Sequence, residues 1–328
     1  MAMKRNEQKA LTPGLMKSPR LIRRSGYTDS IFSNLTLFFT IVMVGILVAL
    51  VIILTRDAMP AINKFGFSFI TNTMWNPVTD VFGALPAIYG TLVTSLIGLL
   101  IAIPISFGAA IFLVELAPNW LKGPASFIIE MLAAIPSVII GLWGLYVMVP
   151  VVRHPIEKWL GSHLGGLPFF QGPPFGVGFL AAGLVLAIMT IPIITAVSRD
   201  AMKAVPNEQR EAMYALGATR WEVINKAVLP YCRTGMVGGV ILGLGRALGE
   251  TMAVTMVIGN SNKLTASLFS PGATIASTIA SQFGEASTGV QTGSLIELAL
   301  ILFGVTLIVN VIARTLVWRM TSLKAAKK

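Results

Sequence analysis

The stretch PNEQREAMYALGATRWEVINKAVLP, from Pro206 to Pro230, is the longest polar interval in an otherwise apolar chain. Its punctuation reads as two short helices joined by a break. Pro206 suits a first helical turn, where its missing N–H would find no partner anyway. Gly217 suits the left-handed position just past a helix end. Thr219 and Glu222 have the Ser/Thr-x-x-Glu spacing of a capping box, which opens a second helix at once. A helix-turn-helix of this size between two apolar spans predicts a stiff knob standing out from a membrane domain. The plainer alternative is an ordinary amphipathic loop.

Composition decides the surroundings of that knob. The 328 residues are 55% hydrophobic and 12% charged, with a mean hydropathy of +0.77. A soluble domain carries about 25% charge, so this is a membrane chain. The single cysteine, Cys232, excludes an internal disulfide, and His154 and His163 show no ligand spacing. Six apolar stretches stand out, near 31–55, 87–114, 125–150, 175–197, 233–258 and 294–318. Each is long enough, at about 1.5 Å per residue, to cross a hydrocarbon core of about 30 Å. The predicted fold class is therefore an all-α, polytopic membrane protein with six transmembrane helices. Pro104 and Pro136 fall inside the second and third stretches and predict kinks there.

The net charge of +11 has a simple distribution. With the N-terminus inside, seven Lys/Arg precede the first span, one lies at 115–124, six at 198–233 and five from Arg314 onward. The three opposite loops hold two, two and one, and Arg246 lies within a span. This is the positive-inside pattern, so the basic excess marks orientation and no nucleic-acid partner is expected. It places both termini and the knob on the cytoplasmic side of the membrane, and the lipid bilayer is the chain's surroundings. Residues 1–30 and 321–328 read as basic cytoplasmic tails, with one transmembrane domain over 31–320 that includes a polar cytoplasmic loop at 198–232. Trp75 and Tyr89 suit an interface belt, and the Pro/Gly-rich 151–174 loop reads as irregular.

At the knob the sequence resembles a known pattern. Glu211-Ala212-Met213, Gly217 and Leu229-Pro230 are similar to the EAA loop of ABC-importer permeases (E-A-A-x3-G-x9-I-x-L-P). Met213 and Ala227 depart from it, standing where the pattern has Ala and Ile. Three further stretches, FGFSFITNTMWNPVTDVFGALPAIYG, AAIPSVIIGLWGL and GRALGETMAVTMVIGN, resemble the phosphate-specific (PstC-type) branch of that family. The resemblance implies the type I importer permease fold, with the knob as the coupling helix seated in a cytoplasmic ATPase. It implies a second homologous permease subunit, two ATPase subunits and an extracytoplasmic phosphate-binding protein as partners, with phosphate as the transported ligand. It also places Ser137, Arg246 and Glu250 near the substrate path. Sulfate and molybdate permeases share the same coupling logic.

The fifth stretch carries its own chemistry. Gly235, Gly239 and Gly243 recur at four-residue spacing, with Gly245 and Gly249 on an adjacent face, a pattern for close helix approach. Arg246 lies 13 residues past Arg233, roughly 20 Å along a helix. Glu250 follows at i+4, on the same face of a continuous helix. Charges at such depth cost at least about 2.5 kcal/mol each, so they face each other or a cavity. One reading is a self-neutralising lock; the favoured one is an arginine that attracts an anion while Glu250 holds its guanidinium. Further on, Ile275, Ile279 and Phe283 form one apolar stripe, predicting a helix at the outer interface or dipping into the bundle. No Gly-Lys dipeptide occurs, so no Walker A loop is present, and no cofactor or metal is expected. An ion-coupled secondary transporter, the rival reading, would not need the knob and would more commonly show inverted repeats.

Overall fold

The computed structural model describes residues 27–325, and it is helical nearly throughout. The basic tails at 1–30 and 321–328 lie outside the described residues except for their inner ends, which are helical. Among the described residues the only β pairing is an isolated bridge between Asn76 and Val81. Among the described residues six helices are long and apolar enough to cross a membrane. Span one, Tyr27–Phe65, carries no charge between Asp29 and Arg56. The chain forms two compact units, Met1–Val51 and Ile52–Lys328, and the sites described below all belong to the second.

Span two, Leu85–Leu116, runs through Pro104 without interruption. Its last turn, Phe112–Leu116, widens to a π-helix. It lies along span four, Phe179–Lys203, because glycines on both sides remove the Cβ from the contact. A methyl group on Gly98 would come 2.9 Å from Leu186 Cβ, and one on Gly183 would come 2.5 Å from Ile97. Span four is the most buried of the six, and Phe179, Val185, Leu186 and Met189 lead the main core cluster.

Span three differs from the 125–150 expectation. A separate helix, Asn119–Ala133, follows span two, and span three begins afresh at Ser137 and runs to Leu164. Pro136 is the cause: it cannot donate to the preceding turn, and its ring disfavours a helical Ile135. Further prolines are absorbed differently. Pro150 follows one π-helical turn, Gly144–Met148, and Pro155 sits inside another, Val152–Glu157. The wider hydrogen-bond ladder accommodates the absent N–H groups, so the expected irregular loop at 151–174 is helical as far as Leu164.

Trp75 and Tyr89 pack within the protein instead of forming a free interface belt. Trp75 Nε1 donates to Gln282 Oε1 at 2.6 Å, and Tyr89 meets Phe179 edge-on at 5.7 Å. The helix Ile275–Gln282 does dip inward: Ile275, Ser277 and Thr278 are buried while Phe283 is exposed. Its buried hydroxyls are satisfied locally by a Thr274–Ser277 capping box and by bonds to preceding carbonyls. Span six, Gly289–Ala325, closes the chain.

Candidate functional site

The knob forms as its punctuation predicts, with two shifts of detail. Pro206 stands one position earlier than expected, as the extended residue before the knob's first helix, Asn207–Ala215 (φ −58°, ψ 141°). Gly217 ends that helix with φ +80°, and its N–H donates to Tyr214 O at 2.9 Å. Thr219 and Glu222 form the capping box in both directions, with Thr219 N to Glu222 Oε2 at 3.0 Å. The second helix does not stop at Pro230: it continues as span five, Arg220–Gly249. A π turn at Ile224–Val228 comes just before Pro230, where the regular ladder loses a donor.

The knob has two faces. Glu211, Ala212 and Gly217 are exposed, and around them Leu216 (83%), Trp221 (61%) and Tyr214 (47%) present apolar surface to solvent. Leu229 instead faces inward, packing with Met213 and Ala218 against Met202, Val205, Val223 and Val228. Sequence reading missed the apolar tip, although its residues lie inside the motif. It also missed Glu115, at the end of span two. Arg210 donates to Glu115 Oε1 through both Nε (3.2 Å) and a terminal nitrogen (3.0 Å). Both side chains are largely buried, at 15% and 9% exposure. A second arginine, Arg199 at the end of span four, pairs with Glu130 and Asp200 at 2.9 Å each.

The fifth span corrects one expectation. Its helix ends at Gly249, and Glu250 is extended (φ −68°, ψ 125°), so Arg246 and Glu250 do not share a helical face. A short helix, Met252–Val257, follows, and Glu250 Oε1 accepts from the Ala253 amide at 3.4 Å. Among the described residues no ion pair joins Arg246 to Glu250, and Arg246 Nε is buried without a hydrogen-bond partner. The first glycine face, Gly235, Gly239 and Gly243, packs on Ala201, Val197 and Ile194 of span four. Gly245 and Gly249 meet nothing within 4 Å.

Ser137 is half-buried at the start of span three. A Cβ on Gly141 would come 2.9 Å from Ala253 Cα, and one on Gly144 would come 3.1 Å from Val257 Cγ1. Span three and the short helix therefore pack against each other in the same direction, Gly141 beside Ala253 and Gly144 beside Val257. The neighbouring groove of about 480 Å³, between Leu132, Trp143 and Ile188, is lined mainly by apolar side chains. Among the described residues no group of three His, Cys, Asp or Glu could hold a metal.

Comparison with known proteins follows the same lines. A family model described as binding-protein-dependent transport system inner membrane component matches residues 102–322. The phosphate transport system permease protein PstC of Haemophilus influenzae is 50% identical over 314 residues, covering 94% of this chain and 99% of that protein. The protein of the same name from Pasteurella multocida is 52% identical over 303 residues, covering 91% and 94%. Among solved structures, a bacterial ABC transporter involved in import of the acidic polysaccharide alginate shares the fold. It aligns with a TM-score of 0.58 at 17% identity, over 92% of this chain and 98% of that one. The chain belongs to the binding-protein-dependent transport system inner membrane component family.

Proposed function

We propose that the chain is the permease subunit of an ATP-driven, binding-protein-dependent importer that carries inorganic phosphate into the cytoplasm. The observation that carries this reading is the knob: a rigid helix-turn-helix with Leu216, Trp221 and Tyr214 exposed at its tip. An apolar patch of that kind on a polar loop marks a protein interface. A cytoplasmic ATPase is the partner that the family's transport chemistry requires there, since this sequence has no Walker A loop. Phosphate is the cargo in the printed names of relatives at 50% and 52% identity.

The full assembly in this reading contains a second homologous permease, two ATPases and an extracytoplasmic phosphate-binding protein. Both termini and the 198–232 coupling loop lie in the cytoplasm, attached to one transmembrane domain over 31–320. Within the membrane, Arg246 supplies the cation for the passing anion, its Nε being unpaired. Ser137 opens span three, where the positive end of a helix dipole favours an anion. Glu250, whose carboxyl accepts from the Ala253 amide just past the end of the Arg246 helix, limits how tightly an anion is retained. The lock reading loses its premise once Glu250 bonds Ala253 instead.

The test is phosphate uptake by vesicles holding the permease pair and supplied with the phosphate-binding protein, with and without the ATPase and ATP. Uptake only with both is expected; uptake driven by an ion gradient alone would favour a secondary transporter.

A further inference from the structure

Glu115 lies where span two leaves the membrane domain, and both helices of the knob converge on it. From the coupling helix, Arg210 places two guanidinium nitrogens on Oε1, at 3.2 and 3.0 Å. The same guanidinium holds Val205 O at 2.6 Å and Met202 O at 3.0 Å, tying it to the end of span four. From the second helix, Arg220 donates to the Glu115 carbonyl. Nearby, Lys122 Nζ caps Val114 O at 3.0 Å, so the turn beneath Glu115 is itself held.

Span two is built to carry a displacement as a unit. It is one unbroken helix from Leu85 to Leu116. At its outer end Thr91 Oγ1 accepts from the Ile275 amide at 2.9 Å, at the start of the buried outer helix. Thr91 and Glu115 stand roughly 36 Å apart along a helix, about the thickness of a membrane. One continuous helix thus touches the knob at one end and the outer helix at the other.

We propose that Glu115 is the positioning residue that couples the knob to span two, so that movement of the knob on its ATPase shifts span two. This rests on the reading of the knob as an ATPase-docking element. A buried, charge-assisted contact in which two guanidinium donors converge on one carboxylate oxygen fixes direction as well as distance, which a purely apolar seat cannot do. Breaking such a pair leaves an uncompensated charge, so the two sides move together.

The test uses the complete reconstituted importer, with phosphate uptake and ATP hydrolysis measured together. Glu115→Asp keeps the charge but withdraws the oxygens by one methylene, and Arg210→Lys keeps the charge but loses the fork. Each is expected to lower phosphate moved per ATP about tenfold, the effect of one charge-assisted bond, with the ATPase still co-purifying at normal ratio. The double variant should be no worse than either single one, because both act on one contact. An unchanged ratio in both single variants would overturn the proposal. So would loss of ATPase binding in step with transport, which would make the contact a mere prop for the knob. If Glu115→Asp fails to accumulate, Arg210→Lys carries the same measurement. Leu216→Asp alters the exposed tip without touching Glu115: retained ATPase binding there refutes the docking reading, whatever the Glu115 variants do.

Discussion

Replacing Gly217 separates backbone torsion from packing, because a Cβ built there meets nothing within 4 Å while φ is +80°. Gly217→Ala therefore introduces no clash, and its whole effect is the strain of a left-handed L residue, about 1–2 kcal/mol. That strain lowers the population of correctly turned knob about 5–30-fold. Gly217→Asn should cost less, since Asn visits the left-handed region more readily. Gly217→Pro should cost most: its ring holds φ near about −65°, and it removes the N–H that bonds Tyr214 O. The assay is ATPase co-purification and phosphate uptake per ATP at equal membrane level of the three variants. The expected order of function is Asn above Ala above Pro. Equal function in all three would refute the claim that the left-handed turn sets the angle between the coupling helix and span five.

Three further outcomes are expected. Arg246→Gln should abolish uptake and Glu250→Gln should impair it less; the double variant should stay inactive, because no ion pair joins the two side chains to be replaced by amides. Recovered uptake in the double would make Arg246 scaffolding. Gly243→Leu, where a Cβ already meets Ile194 at 2.8 Å, should lower thermal stability in detergent by about 1–3 kcal/mol, whereas Gly245→Ala should leave it unchanged. Single cysteines at Asn76 and Ser162, in a background with buried Cys232 replaced by serine, should label from outside, and one at Ala204 only from inside. The reverse pattern would overturn the orientation read from lysine and arginine.

Much of this architecture was legible because it rests on local rules. The capping box at Thr219 and Glu222, the left-handed Gly217 and the Gly235–Gly239–Gly243 contact are each set by residues within one or two turns. The six apolar runs likewise need only composition. What escaped the sequence depends on long-range packing or on competing helix types. Pro104 and Pro136 look alike in a linear reading, yet span two continues through one and span three starts at the other. Pro155 lies within a π turn, which no periodicity announces. Glu115 and Arg210 are 95 residues apart, so only the fold brings them together. The Arg246–Glu250 spacing misled because it assumed a continuous helix where the chain breaks after Gly249.

The central claim, that this permease carries phosphate under ATP drive, is tested most directly by uptake of labelled phosphate in the reconstituted importer with sulfate and molybdate as competitors. The account predicts ATP-dependent accumulation that unlabelled phosphate suppresses and that equal sulfate or molybdate leaves intact. Suppression by sulfate or molybdate as strong as by phosphate would contradict it.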